Sequence, residues 1–245
     1  PRSSCDPHGA ARAGSPDVSD ARHASGWNLG DLIEGVESVL PADAPAMMHD
    51  ATTLSWGELA RRSRSLAAAF AARGAVPGDK VAFYLRNGPA YLETLAACFK
   101  GRYVHVNVNY RYLDDELLYI LDDSDAAVVV FAEEFADRVE HVRARAPKVT
   151  AWVCAGEDAP VRSERFDALA RERPNAGFDG VRSPDDLLFI YTGGTTGMPK
   201  GVMWRHEDLW GAIGAGANAR ANRGKRPATP AEHVANVKAH GPGPR

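Results

Sequence analysis

The sequence predicts an α/β fold, a doubly wound and mostly parallel sheet with helices on both faces. Three observations predict it. Between residues 81 and 154, short apolar runs alternate with helix-period segments, the βαβαβ rhythm of parallel strands joined by helical crossovers. The runs Val81-Ala82-Phe83-Tyr84-Leu85 and Leu187-Leu188-Phe189-Ile190-Tyr191 are almost unbroken in apolar character, as strands covered on both faces must be. A glycine-rich loop directly follows the second run, at the strand end where open sheets of this class bind ligands.

Taken in order, residues 1–26 carry almost no large apolar side chain and are expected to be disordered, having little to bury. Helical spacing begins with Trp27, Leu29, Leu32, Ile33, Val36 and Leu40, and Pro41 ends it. Two short strands at 46–49 and 52–54 flank the turn residues Asp50 and Ala51. Ser55-Trp56-Gly57-Glu58 has the spacing of a capping box, which satisfies two free backbone donors at a helix start. The apolar stripe of that helix runs Trp56, Leu59, Ala60, Ser63, Leu66, Ala67 and Phe70, and Gly74 closes it. Arg61, Arg62 and Arg64 lie largely off the stripe and read as a solvated face rather than an anion patch. Next come a strand at 81–85, a helix from Pro89 through Phe99, a strand at 103–106 and a helix at 114–121. A strand at 126–131, a helix at 133–144, a strand at 149–154, a helix at 165–171 and a strand at 187–191 complete the pattern. From 218 onward Arg220, Arg223, Lys225, Arg226, Lys238 and Arg245 stand against Glu232 alone, which reads as a flexible basic tail. The organisation expected is a disordered head (1–26), a partial α/β domain (27–217) and a tail (218–245).

Composition excludes several classes. With 44% apolar and 25% charged residues the chain can bury a core, so wholesale disorder is ruled out. A net charge of −3 is not that of a global nucleic-acid binder. No run approaches the roughly 18 apolar residues of a transmembrane helix, and no apolar signal region lies near the start. Cys5, Cys98 and Cys154 are odd in number and far apart, which reads as free thiols in a cytoplasmic, reducing compartment. Cys5 and His8 have ligand-like spacing but lack two further partners, so no protein metal site is expected there. The initial proline and the Gly-Pro-Gly-Pro-Arg ending read as a chain cut from a longer one. Oligomeric state leaves no signal.

The chemistry concentrates in Tyr191-Thr192-Gly193-Gly194-Thr195-Thr196-Gly197-Met198-Pro199-Lys200-Gly201-Val202. Its glycines let the backbone curl until several N–H groups converge on one anion. Thr195 and Thr196 add hydroxyls, Thr192 and Thr196 are candidate magnesium ligands, and Lys200 supplies a point charge suited to phosphate. The loop is not a Walker A motif, because Pro199 precedes Lys200 and Gly201 follows it. A purely structural glycine hairpin is the bland alternative.

This segment resembles the phosphate-binding loop of the adenylate-forming superfamily, which includes acyl-CoA synthetases, luciferases and peptide-synthetase adenylation domains. Thr53-Leu54-Ser55-Trp56-Gly57-Glu58-Leu59 resembles that family's T-Y-x-E-L element. Val106-Asn107-Val108-Asn109-Tyr110-Arg111-Tyr112 resembles the segment after its K-A-G element. Val202-Met203-Trp204-Arg205-His206-Glu207-Asp208-Leu209 is similar to steroid-side-chain and fatty-acyl CoA ligases of actinobacteria. Two departures stand out: Gly193 replaces the usual serine, and the K-A-G element reads Lys100-Gly101-Arg102. His206 matches a histidine common after the loop and reads as structural, at a helix start.

The resemblance implies the amino-terminal part of an acyl-CoA synthetase, with ATP, Mg2+ and coenzyme A as cofactors or co-substrates and a fatty or steroid-side-chain acid as substrate. It places Thr192, Gly193, Gly194, Thr195, Thr196 and Gly197 around the β- and γ-phosphates, with Lys200 stabilising the leaving pyrophosphate. The family's Y-G-x-T-E motif, ribose-binding aspartate and lid lysine are not found in residues 1–245, so the chain alone is expected to be inactive. Two other readings remain open, a non-catalytic nucleotide-binding module and an adenylating enzyme for another acid, such as an amino acid.

Overall fold

The computed structural model describes residues 26–160, 162–172, 181–193, 198–214 and 227–241. Helix α1 (Leu29–Val39) is capped by Asn28, whose side chain accepts from the Gly30 N–H. Strands β1 (Pro45–His49) and β2 (Thr52–Ser55) pair antiparallel as a separate hairpin. Helix α2 (Trp56–Ala72) opens on the expected capping box of Ser55 and Glu58. There follow β3 (Lys80–Tyr84), α3 (Pro89–Gly101), β4 (Val104–Asn107), α4 (Asp114–Asp123), β5 (Ala126–Ala132), α5 (Ala136–Arg143) and β6 (Ala151–Ala155). A short β7 (Glu164–Arg165) leads into α6 (Phe166–Arg171), and β8 (Leu187–Thr192) and β9 (Lys200–Arg205) precede α7 (His206–Leu209) and α8 (Pro230–His240).

The main sheet has the order β7-β6-β5-β3-β4-β8-β9. Every pairing in it is parallel except β8 with β9, which are antiparallel neighbours at one edge. The chain winds from β3 to β4 on one side, then returns past β3 to β5 on the other, so the doubly wound expectation holds. Alternation within each strand builds two cores. Val81, Phe83, Val128 and Val130 face α2, α3 and α6, packing on Leu66, Phe70, Ala97 and Leu169. Ala82, Tyr84, Val129 and Phe131 face the other way, onto Leu117, Ile120, Leu121, Val139 and Val142 of α4 and α5.

Two expectations need correction. Arg61 and Arg64 of α2 are exposed, as expected, but Arg62 is not on a solvated face. Arg62 forks onto buried Glu93 at 3.0 and 2.9 Å and reaches Asp167 at 2.7 Å, while the exposed Arg64 approaches Glu34 and Glu37. Periodicity marks every polar residue as outward-facing, but α3 and α6 carry the carboxylates that take up the Arg62 charge between helices. The basic tail is also not flexible throughout. Helix α8 begins at an N-cap in which the Thr229 hydroxyl accepts from the Glu232 N–H, and it buries His233 and Val237. It packs so closely on α1 that a Cβ on Gly35 would lie 2.6 Å from Val234. Its charge count hid a Thr-Pro-Ala-Glu helix start. Residues 1–25 and 218–226 lie outside the described residues.

Lys100, of the K-A-G-like element, is fully buried. Its ammonium donates to both Glu37 carboxylate oxygens at 2.7 and 2.9 Å and to the Ser63 hydroxyl at 2.7 Å, tying α3 to α1 and α2. Burial lowers its pKa, and the Glu37 charge opposes that shift.

Candidate phosphate-binding site

Because β8 runs parallel to β4, its last residue lies at the carboxyl edge of the sheet with the ends of β3, β5 and β6. The glycine–threonine segment leaves from that edge, as expected. It returns as β9, a strand with no apolar period to announce it, so its two ends form an antiparallel hairpin. Thr192 lies directly opposite Lys200 in the register, and both are exposed. Lys200 makes no ion pair with another described residue, leaving its charge available to an anion. Gly194, Thr195, Thr196 and Gly197 lie outside the described residues. The geometry therefore brings together Thr192, Gly193 and Lys200 of the expected set.

The mouth of the hairpin is held from below by residues to which the sequence reading gave no role. Asn107, at the end of β4, accepts the Tyr191 N–H at 2.7 Å and donates to the Tyr191 carbonyl at 3.1 Å. The Tyr191 hydroxyl donates to Asp123 at 2.6 Å, and burial is the first cause raising its pKa. Gly201 is required beneath this ring, since a Cβ there would meet the Tyr191 Cζ at 2.9 Å. Beside the loop, the Tyr84 hydroxyl donates to the Tyr112 carbonyl at 2.6 Å. Arg138 donates to both of these oxygens, at 2.8 and 2.9 Å, pinning the turn that carries the Tyr112 ring. A Cβ on Gly193 would stand 3.8 Å from the Tyr112 hydroxyl, an ordinary contact. Among the described residues, space therefore does not impose the absence of the usual serine. One available signal for Asn107 was a carboxamide interrupting the apolar run Val104 to Val108.

His206 is a packing residue. It is 1% exposed, stands edge-on to Phe99 at 5.0 Å and accepts the Leu29 N–H through Nδ1 at 3.4 Å. Burial pushes its pKa down to about 4, so the ring is neutral at physiological pH. His105 is similar: burial takes it to about 4, its Nδ1 donates to the Phe189 carbonyl at 3.2 Å, and its Nε2 accepts from Tyr91 at 2.8 Å.

Residues 37–234 match the AMP-binding enzyme family. The chain belongs to that family. Among curated relatives of this family member, the 3-oxocholest-4-en-26-oate–CoA ligase of Rhodococcus rhodochrous is 38% identical over 197 residues, covering 78% of this chain and 35% of that protein. A medium/long-chain-fatty-acid–CoA/3-oxocholest-4-en-26-oate–CoA ligase of Mycolicibacterium smegmatis is 34% identical, with coverage of 78% and 35%. The chain thus spans about a third of the length of these relatives. The anthranilate–CoA ligase AuaEII, solved with anthranoyl-AMP, superposes with a TM-score of 0.70 at 22% identity, over 77% of this chain and 37% of that one. That likeness establishes the fold. Among the described residues, no helix is long and apolar enough to cross a membrane.

Proposed function

We propose that the chain is the amino-terminal portion of an ATP-dependent acyl-CoA synthetase whose substrate is a fatty or steroid-side-chain carboxylic acid. In the whole enzyme a carboxylate oxygen attacks the α-phosphorus of ATP, the bond to the bridging oxygen breaks, and pyrophosphate leaves. The coenzyme A thiol then attacks the acyl carbon and AMP departs. This portion would hold the departing end of the nucleotide, where negative charge develops and preorganised donors matter most. Backbone N–H groups and hydroxyls of Thr192, Gly193, Gly194, Thr195, Thr196 and Gly197 would surround the β- and γ-phosphates, with Lys200 on the leaving group. Thr192 and Thr196 offer hard oxygen donors that fit magnesium, which when bound neutralises phosphate charge.

The observation that carries this reading is Lys200, without an ion pair among the described residues, set opposite Thr192 at the carboxyl edge of a parallel sheet, at the two ends of the glycine–threonine segment. The names of the relatives favour a CoA ligase over an amino-acid-activating enzyme. Calorimetric titration with Mg-ATP tests the loop. Lys200→Ala is expected to weaken binding at least tenfold with an unchanged unfolding midpoint, and equal affinity would overturn the assignment. For the chemistry, acid-dependent ATP–pyrophosphate exchange is expected only when the chain is extended to the length of its relatives. Robust exchange by residues 1–245 alone would contradict the reading.

A further inference from the structure

We propose that Asn107 is the positioning residue for the two ends of the phosphate loop, its carboxamide clamping Tyr191 and so setting where β8 ends and the glycine–threonine segment begins. The inference deepens the function proposed above and rests on it.

A strand residue sends its N–H and carbonyl to the same side. At Tyr191 both go toward β4, so β9 cannot satisfy them. The β4 backbone does not do so either. Its register with β8 ends at Val106 opposite Phe189, while Asn107 lies opposite Phe83 of β3. The following residue continues the ladder with β3, the Val108 N–H donating to the Phe83 carbonyl at 3.1 Å. The Asn107 side chain turns to the opposite neighbour and supplies one acceptor and one donor, extending the ladder by one residue without using backbone. A carboxamide has that pair of functions at that reach. A carboxylate would set a second acceptor against the Tyr191 carbonyl. Tyr191 is 6% exposed, so water is a poor substitute. The residue is then held at three points, its backbone by Asn107, its hydroxyl by Asp123 and its ring against Gly201. Thr192 follows immediately and faces Lys200, so any displacement of Tyr191 passes straight to the two ends of the loop.

The test uses magnesium pyrophosphate as the titrant, with amide hydrogen exchange as the second readout. Asn107→Ala and the nearly isosteric Asn107→Asp are each expected to weaken binding at least tenfold and to speed exchange at the Tyr191 amide. Val130→Ala, which removes methyl groups from the core on the other face of the sheet, is expected to lower the melting temperature more and to leave affinity within twofold. Should Asn107→Ala fail to fold, Asn107→Ser, whose hydroxyl can keep one of the two bonds, is expected to show the same loss in milder form. Wild-type binding combined with undiminished binding by the Asn107 variants would overturn this inference alone, as would an equal loss in Val130→Ala. A wild-type protein that does not bind magnesium pyrophosphate would overturn the underlying function, and this inference with it.

Discussion

The two halves of the sheet are held together by different forces. Around β3, β5 and β6, both faces are sealed by aliphatic and aromatic side chains, and no exposed large hydrophobic residue lies on these strands. Around β8 and β9, Val202 is 44% and Met203 67% exposed, and polar side chains of β4 add hydrogen bonds to β8 beside the packing of Leu188 and Tyr191. Apolar packing is strong but indifferent to small slips, whereas hydrogen bonds are weak in net terms and strict about position. The stable half is thus a platform, and the half that carries the candidate site is placed by directional contacts. In such a division core truncations should change stability, and edge substitutions should change it little.

The largest effect tests that division directly. Phe131→Ala empties a fully buried site on β5 and is expected to cost about 3–5 kcal/mol in urea unfolding. Met203→Ser on β9 should stay within about 0.5 kcal/mol. Comparable losses would mean that the edge is as tightly packed as the centre. A buried charge probes the same half. Glu37→Ala leaves the buried Lys100 ammonium with the Ser63 hydroxyl and the Ala60 carbonyl but no carboxylate bonded to it, at an expected cost of about 3–5 kcal/mol. Replacing both partners, Lys100→Met with Glu37→Leu, should recover most of it. A double variant as weak as the single one would show that the helices need the ion pair itself.

The same division explains what could be read from the residues. Strands buried on both faces announce themselves, and β3, β5, β6 and β8 lie where their apolar runs put them. The glycine–threonine loop was equally visible, since Gly193, Gly194, Pro199 and Lys200 each have a narrow chemical meaning. β9 was not visible as a strand. An edge strand with Val202 and Met203 turned to solvent has neither a continuous apolar run nor an alternation. Asn107 read as the end of a strand, because a side chain that completes a ladder leaves no periodic trace. Arg62 of α2 misled for a related reason, as its carboxylate partners Glu93 and Asp167 lie far along the chain.

Acid should separate the halves in time. His105 and His206 have pKa values of about 4, against 6.5 for a free imidazole, so between those values the unfolded chain binds protons that the folded chain refuses. Their contribution is intact above about pH 6.5 and is lost as pH falls toward 4, by up to about 3 kcal/mol for each ring. Since His105 joins β4 to Phe189, amide exchange at β8 should rise before exchange in β5 as pH is lowered. Simultaneous loss at both strands would merge the two halves into one cooperative unit.

The smallest effect concerns Arg102, where the family's usual glycine is replaced. It caps α3 in the left-handed region at φ 60° and ψ 31°, a conformation costing a side-chain-bearing residue about 1 kcal/mol. Its guanidinium forks onto Asp186 at 2.8 to 3.2 Å, and Asp186 also accepts from Asn28 at 2.9 Å, so the strain is exchanged for a tie between α3, α1 and the turn before β8. The pair is partly exposed and worth about 1 kcal/mol or less. Arg102→Ala keeps the strain and loses the tie, with an expected cost of about 1 kcal/mol. Arg102→Gly loses both, and its net change should be smaller, although the freer unfolded chain takes back part of the gain. The difference between the two variants at equal denaturant therefore reads the backbone strain less the entropy of the freer unfolded chain. If glycine proves as costly as alanine, the strain of the left-handed cap does not exceed that entropy, and the tie to Asp186 accounts for the net of what arginine contributes here.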